Sequence, residues 1–255
     1  MKKIIITGGS TNEPIDEIMR IITMGTGSLS LKLGEFFLKS GYRVCLILNR
    51  MINTDKIEML EEAEAALTIV PVETTADMMN ALEAESKKGH TDAIIHASAV
   101  NDYKTDYTFL LEDLAKYIWN EIESGKITSE EALLAAMEDG EKYNLDNSSK
   151  ISSYQKNLTV KLGLTPKIIS RLRGWYGDTL LIGCKLLENV PKEELYDVAH
   201  KLCNKNDMDY ILANDLADLR RGNPARYLVN KDGFTGKTLE TPENIFAFVD
   251  GCLKA

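Results

Sequence analysis

Two glycine-containing turns stand close together near the start of the sequence: Gly8-Gly9-Ser10-Thr11, entered by the apolar run Ile4–Ile6, and Gly25-Thr26-Gly27, left by a helical-looking segment. Backbone amides in such turns, and at a following helix N-terminus, can hold phosphate oxygens. The spacing is not GxGxxG and no Walker lysine follows, so a plain tight turn competes with a phosphate loop at Gly8-Gly9. In "HASAVNDYK" (96–104) the small residues Ala97, Ser98 and Ala99 let backbone approach a ligand. Asn101 and Asp102 follow as polar groups, where an Asx turn is the structural alternative. "ANDL" (213–216) ends a later strand in the same way; Asn214 both donates and accepts, whereas ionised Asp215 only accepts. Lys185, in "IGCKLL" (182–187), suits a triphosphate or a carboxylate, with a solvated surface lysine as the plainer reading. Lys150, in the polar stretch "SSKISS" (148–153), is placed as a lid lysine would be. No Ser–His–Asp arrangement emerges, and His90, His96 and His200 lack metal-ligand spacing. His96 has apolar or small neighbours and reads as a strand histidine rather than a catalyst.

These groups need a sheet whose carboxyl edge presents them. Strand-like runs Lys3–Thr7, Arg43–Leu48, Leu67–Val72 and Asp92–Ala97 alternate with helical segments Ser28–Lys39, Ile57–Ala66 and Thr75–Lys88. Such alternation predicts right-handed βαβ units and a parallel sheet covered by helices. The pattern breaks after Tyr103. Asp106–Glu123 and Ser129–Glu138 read as helices, the second with Thr128 and Glu131 placed as a capping box. Residues 104–156 are expected to form an inserted helical arm and lid segment in an otherwise single domain over 1–255. Alternation resumes with strand 157–164, helix Pro166–Trp175 capped by Thr165, strand Thr179–Cys184, helix Pro191–Asn204 and strand Tyr210–Ala213. A β-hairpin around Asp232-Gly233 and a helix over Thr241–Leu253 close the chain. The expected fold is α/β: a three-layer α/β/α sandwich, mostly parallel, with a C-terminal β-hairpin and a helical insertion.

Composition narrows the function. A formal charge of −9 over 255 residues argues against nucleic-acid binding, while leaving room for a local basic pocket. No apolar run is long enough for a membrane span, and the N-terminal residues lack a signal peptide's apolar region. Four scattered cysteines without a CxxC pair suggest reduced thiols in a cytoplasmic protein and no zinc site.

Several segments, in this order, resemble phosphopantothenate–cysteine ligase, the second half of the bifunctional coenzyme A biosynthesis flavoprotein. "TGGSTNEPID" is similar to that family's opening, "SAVNDY" to its Ala-Val-x-Asp-Tyr segment, and "KISS" to its Lys-Ile lid segment. "LTPKII", "IGCKLL" and "DYILANDL" follow in the family's order. With no FMN-binding decarboxylase half, the expectation is the stand-alone form. The resemblance implies a Rossmann-like fold, usually a homodimer. It implies ligation of 4′-phosphopantothenate to cysteine through an acyl-nucleotide, acyl-CMP where the co-substrate is CTP; ATP is the alternative. Mg2+ is then held mainly by the nucleotide phosphates.

Carried over by position, Gly8, Gly9 and Ser10 match the nucleotide turn, and Asp102 the aspartate that contacts nucleotide or metal. Lys150 matches the lid lysine of the activation step, Lys185 and Asn214 fall in nucleotide-site segments, and Lys205 is a secondary candidate for the nucleotide phosphates. Ser98 and Ala99 match the backbone that meets the acyl intermediate. Arg20, Thr23, Gly25, Thr26 and Gly27 fall in the phosphopantothenate segment. That segment departs from the family's Arg-x-Ile-(Ser/Thr)-Asn-x-Ser-(Ser/Thr)-Gly. Thr23 replaces the asparagine, Gly25 the serine, and Arg20 is displaced by one position. Cys184 stands where phenylalanine is common near the base. Two other functions remain open: a divergent nucleotide-binding paralogue without ligase activity, and an NAD(P)-dependent reductase in which Arg50 would meet a 2′-phosphate.

Overall fold

The computed structural model describes residues 1–255, which form two compact units. The first comprises Met1–Thr11, Thr23–Val100 and Pro166–Ala255; the second comprises Asn12–Ile22 and Asn101–Thr165.

An eight-stranded sheet organises the first unit. Its order is Gly233–Leu239, Arg226–Asn230, Tyr210–Asp215, Leu180–Leu187, Ala93–His96, Lys3–Gly8, Arg43–Asn49, Leu67–Val72. All strands from Tyr210–Asp215 to Leu67–Val72 run parallel, and the C-terminal hairpin adds the antiparallel end. The chain builds outward from Lys3–Gly8 to one edge, returns to Ala93–His96, and builds outward to the other. The order therefore reverses between Lys3–Gly8 and Ala93–His96, the position at which doubly wound sheets open a ligand crevice.

The strands are apolar on both faces because helices cover both. Ile4 and Ile6 pack with Leu33 and Phe37 of helix Ser28–Lys39 and with Ile245 and Val249 of helix Pro242–Lys254. Ile5 and Ile94 pack on the other side with Met78 and Leu82 of helix Thr75–Ser86, and with Leu172, Leu195 and Ala199 of helices Ile169–Tyr176 and Lys192–Lys205. Ile4, Ile5 and Ile6 are fully buried, each contributing about 1.5–3 kcal/mol by transfer from water. The three-layer sandwich and the hairpin follow the expectation. The helix expected over Ile57–Ala66 is two short turns, Asp55–Glu58 and Ala63–Ala66. Their buried residues, Ile57 and Ala63, would not share a face of one continuous helix.

The second unit is mixed. A ribbon pairs Asn12–Pro14 with Arg20–Ile22, and a three-stranded antiparallel sheet orders Asn144–Leu145, Tyr103–Leu110 and Leu158–Leu164. Helices Leu111–Glu123 and Glu130–Glu138 complete it, and Phe109, Leu114 and Tyr143 form its small core. The helix expected from Asp106 starts only at Leu111. Tyr103–Leu110 is a strand instead, with Tyr103, Thr105, Tyr107 and Phe109 in the alternation that suits a pleated ribbon. Ser129, not Thr128, caps the second helix, accepting from Ala132 N at 3.2 Å. Thr165 does not cap a helix. Its hydroxyl donates to Asn101 O, its amide donates to Asp102 O at 3.0 Å, and the following helix begins at Ile169. The expected insertion, 104–156, lies within this unit, which also takes Asn12–Ile22. No helix in either unit is long and apolar enough to cross a membrane.

Candidate active site

At the strand-order reversal the two central strands stay stitched beyond their last regular residues. Ala99 N donates to Gly9 O at 2.8 Å, Thr11 N donates to Ala99 O at 3.2 Å, and Ser10 bridges Ala99 in parallel register. Thr23 Oγ1 donates to the same Ala99 carbonyl at 2.5 Å. Gly25 lies on this peptide layer: a Cβ there would fall 2.9 Å from Ser10 N and 3.0 Å from Ala99 Cβ. Gly27 is the N-cap of helix Ser28–Lys39, with φ 72°. No side chain caps that helix and its first turn holds no acidic residue. Ser28 N donates to Thr26 Oγ1 at 3.4 Å, so the amides that follow it, with the helix dipole, are what the helix start offers an anion. Thr26 Oγ1 and Ser28 Oγ lie 3.0 Å apart at the same helix start.

A residue outside the expected set locks both turns. The Cδ1 methyl of Ile52 lies 2.5 Å from where a Cβ of Gly9 would be and 2.3 Å from that of Gly27. Asn49 Nδ2 donates to Ser10 O at 2.9 Å from the same loop. Nothing in the spacing of "LILNRMIN" signals either contact. Arg50, considered for a 2′-phosphate, pairs with Glu73 at 2.7 Å.

Beside these turns, Ser98 N donates to Thr7 Oγ1 at 3.3 Å, and that hydroxyl lies 2.9 Å from His96 Nδ1. The hydroxyl carries one proton and two lone pairs, so while accepting from Ser98 N it donates to Nδ1 or accepts from it, according to the ring's tautomer. Burial pushes the His96 pKa down to about 4, so the ring stays neutral at physiological pH. The strand-histidine reading holds. Ser98 Oγ is buried with no partner in the chain. An orphaned buried hydroxyl costs about 1–3 kcal/mol, which a ligand's hydrogen bond would relieve.

Lys185 and Asn214 both reach the carboxyl edge but on opposite faces. Lys185 pairs in register with Ala213, on the face covered by helix Lys192–Lys205. Asn214 alternates with Leu212, on the face of helix Ser28–Lys39, which Cys184 also shares. Burial raises the Cys184 thiol to about 11, so it stays protonated. Lys205 does not join them. It ends the helix that returns the chain to the start of strand Tyr210–Asp215, and so lies at the amino edge. A cavity of about 550 Å³ also lies at that edge, where Lys3 and Lys88 are already taken up by Glu85 at 2.9 and 2.7 Å.

The second unit carries Arg20, Asp102 and Lys150. Arg20 Nη1 donates to the carbonyls of Asp16 at 2.6 Å and Met19 at 3.1 Å, closing the turn of the short ribbon. Asp102 is exposed, and its carbonyl accepts from Thr165 N. Lys150 is exposed at a cavity of about 270 Å³ that Asp16, Ile18, Met19, Ser152 and Gln155 also line. Asp16, itself 4% exposed, accepts from Ile18 N and Met19 N on Oδ1 at 2.7 and 2.6 Å, and from Ile151 N on Oδ2 at 2.8 Å. Backbone hydrogen bonds, that of Met19 first and Ile151 next, hold its pKa below the usual carboxylate value. Asp16 was visible only as a letter in "TGGSTNEPID". No group of three or more His, Cys, Asp or Glu is arranged to hold a metal.

Residues 1–109 match the family model described as the DNA/pantothenate metabolism flavoprotein C-terminal domain. The chain is 26% identical over 215 residues to the coenzyme A biosynthesis bifunctional protein CoaBC of Methanocaldococcus jannaschii, covering 84% of this chain. It spans 41% of that relative's length, and the same share of the CoaBC protein of Thermococcus kodakarensis. Among solved structures, a DNA/pantothenate metabolism flavoprotein from Streptococcus pneumoniae superposes with TM-score 0.75 at 28% identity, over 100% of this chain and 99% of that one. A Cab2 mutant in complex with phosphopantothenate-cysteine, 16% identical, shares the fold with TM-score 0.69, over 99% of this chain and 86% of that one. The resemblance read from the sequence is borne out.

Proposed function

We propose that this chain joins 4′-phosphopantothenate to L-cysteine through an acyl-nucleotide, with CTP preferred to ATP. The observation that carries the reading is the helix start at the strand-order reversal, where Ser28–Lys39 begins at Gly27 without an acidic residue in its first turn. Similarity to proteins of pantothenate metabolism supports the choice of acid.

The chemistry has two displacements. A carboxylate does not acylate an amine at neutral pH, so its oxygen first attacks the nucleotide α-phosphorus and pyrophosphate leaves. The cysteine nitrogen then attacks the acyl carbon, loses a proton, and the nucleoside monophosphate leaves. Enzymes accelerate such steps by holding reactants and by placing fixed dipoles where phosphate charge develops. The amides of Gly9 and Ser10 are assigned to the triphosphate, and Thr26, Gly27 and the helix start to the phosphate of the acid. Ser98 Oγ, otherwise unpartnered, is assigned a hydrogen bond to the acyl group. Lys150 is assigned to the activation transition state, Lys185 and Asn214 to the nucleotide, and Asp102 to the nucleotide or its magnesium ion. That ion, when bound, neutralises phosphate charge. It would be held largely by the nucleotide phosphates.

A homodimer would cover the exposed Trp119, Leu134 and Leu164 of the second unit, and four free cysteines suit the cytoplasm. Against the reductase reading, Arg50 is paired with Glu73. The test is mass analysis of the product formed from 4′-phosphopantothenate, cysteine and either CTP or ATP. The phosphopantothenoylcysteine mass is expected. Nucleotide binding with no product from either triphosphate would favour the inactive paralogue.

A further inference from the structure

We propose that Asp16 is the positioning residue for Lys150, its carboxylate tying the lysine's segment to the ribbon that precedes it. The inference rests on the reading that Lys150 serves the activation step. The bond to Ile151 N, 2.8 Å long, joins positions 135 residues apart in the sequence. It fixes the backbone one residue from Lys150, while the other carboxylate oxygen is occupied by Ile18 N and Met19 N. Local turn closure needs only that second oxygen. The first would otherwise be left facing the lid segment without purpose in a residue 4% exposed. Asn147 Nδ2 donates to Ile15 O at 2.8 Å, so the segment is held to the same ribbon just before Lys150 as well as just after it. Ile151 itself is buried, whereas Lys150 and Ser152 are exposed. A segment anchored on both sides presents its lysine from a fixed base, and misplacement by about 1 Å can cost on the order of 100-fold in rate.

The experiment measures pyrophosphate release with 4′-phosphopantothenate in the full chain, comparing wild type, Asp16→Asn, Lys150→Ala and the double variant. Asn keeps one acceptor oxygen but turns an N–H toward a donor, breaking one side of the arrangement. Asp16→Ser is the second variant: its hydroxyl can still close the local turn but is too short to reach Ile151. We expect either Asp16 variant to lower kcat at least about tenfold with the nucleotide KM within about twofold. We expect Asp16→Asn to add no further loss to Lys150→Ala, since residues that act as a unit are non-additive. Wild-type kcat in both Asp16 variants, or an undiminished extra loss in the double variant, would overturn the proposal. If Lys150→Ala itself leaves kcat unchanged, the role of Lys150 fails, and tryptic cleavage after Lys150 decides the tether. Faster cleavage in Asp16→Ser sustains it, and an unchanged rate rejects it.

Discussion

Gly25 lies against the peptide that joins Gly9 to Ser10: a Cβ at Gly25 would stand 2.9 Å from both the Gly9 carbonyl carbon and the Ser10 nitrogen. The two glycine turns are one packed layer, and residue 25 has no room for a side chain. The serine found at this place in similar ligases would push backbone against backbone.

Gly25→Ser is therefore expected to destabilise the chain by about 1–3 kcal/mol, the usual cost of overpacking. Urea unfolding of wild type and variant measures it. An unchanged midpoint, with tighter binding of 4′-phosphopantothenate, would mean that the layer opens and that the glycine is incidental.

Thr23 holds the other side of that layer through Ala99 O. Thr23→Val keeps the shape and removes the bond. Ala99 O retains Thr11 N as a donor, so the loss should be only about 1 kcal/mol, with KM for the acid rising several-fold. If Thr23→Val leaves that KM untouched, Thr23 belongs to packing and not to the acid's site.

His96 supplies a pH prediction. Its pKa is lowered from 6.5 to about 4 by burial. Between these values the unfolded chain binds a proton that the folded chain does not. Stability then falls as pH drops through that window, by about 3 kcal/mol in total, and His96 contributes no slope above it. His96→Asn, whose Oδ1 can take the Thr7 hydroxyl, should flatten the dependence. Equal slopes for both proteins in urea titrations from neutral to mildly acidic pH would refute the assignment.

The edge positions separate Lys185 from Lys205. Lys185→Ala should weaken triphosphate binding about tenfold, as expected for loss of a charge-assisted contact. Lys205→Ala, at the opposite edge, should leave it within about twofold. Calorimetric titration of each variant decides, and equal losses would place the nucleotide elsewhere.

Much of the architecture was legible because the central strands are apolar on both faces, as in Ile4–Ile6 and Ile94–Ile95. The strand Tyr103–Leu110 was not, because it runs without a break residue into helix Leu111–Glu123. The helical spacing of Leu111, Leu114 and Ile118 extends the apparent helix backward. The turns of the site announced themselves as glycines. Their locks did not: Ile52 reaches Gly9 and Gly27 from another loop, and Asp16 reaches Ile151 across 135 residues. Such contacts depend on the tertiary fold and leave no local periodicity to read. Lys205 shows the converse, a cation whose place depends on which end of its helix faces the ligand edge.

The most direct measurement is pyrophosphate release on mixing the chain with 4′-phosphopantothenate and a triphosphate in the absence of cysteine. Release near one equivalent per site is expected, faster with CTP than with ATP, with an enzyme-held acyl-nucleotide that cysteine discharges. No release with either nucleotide would contradict the acyl-nucleotide mechanism at its first step.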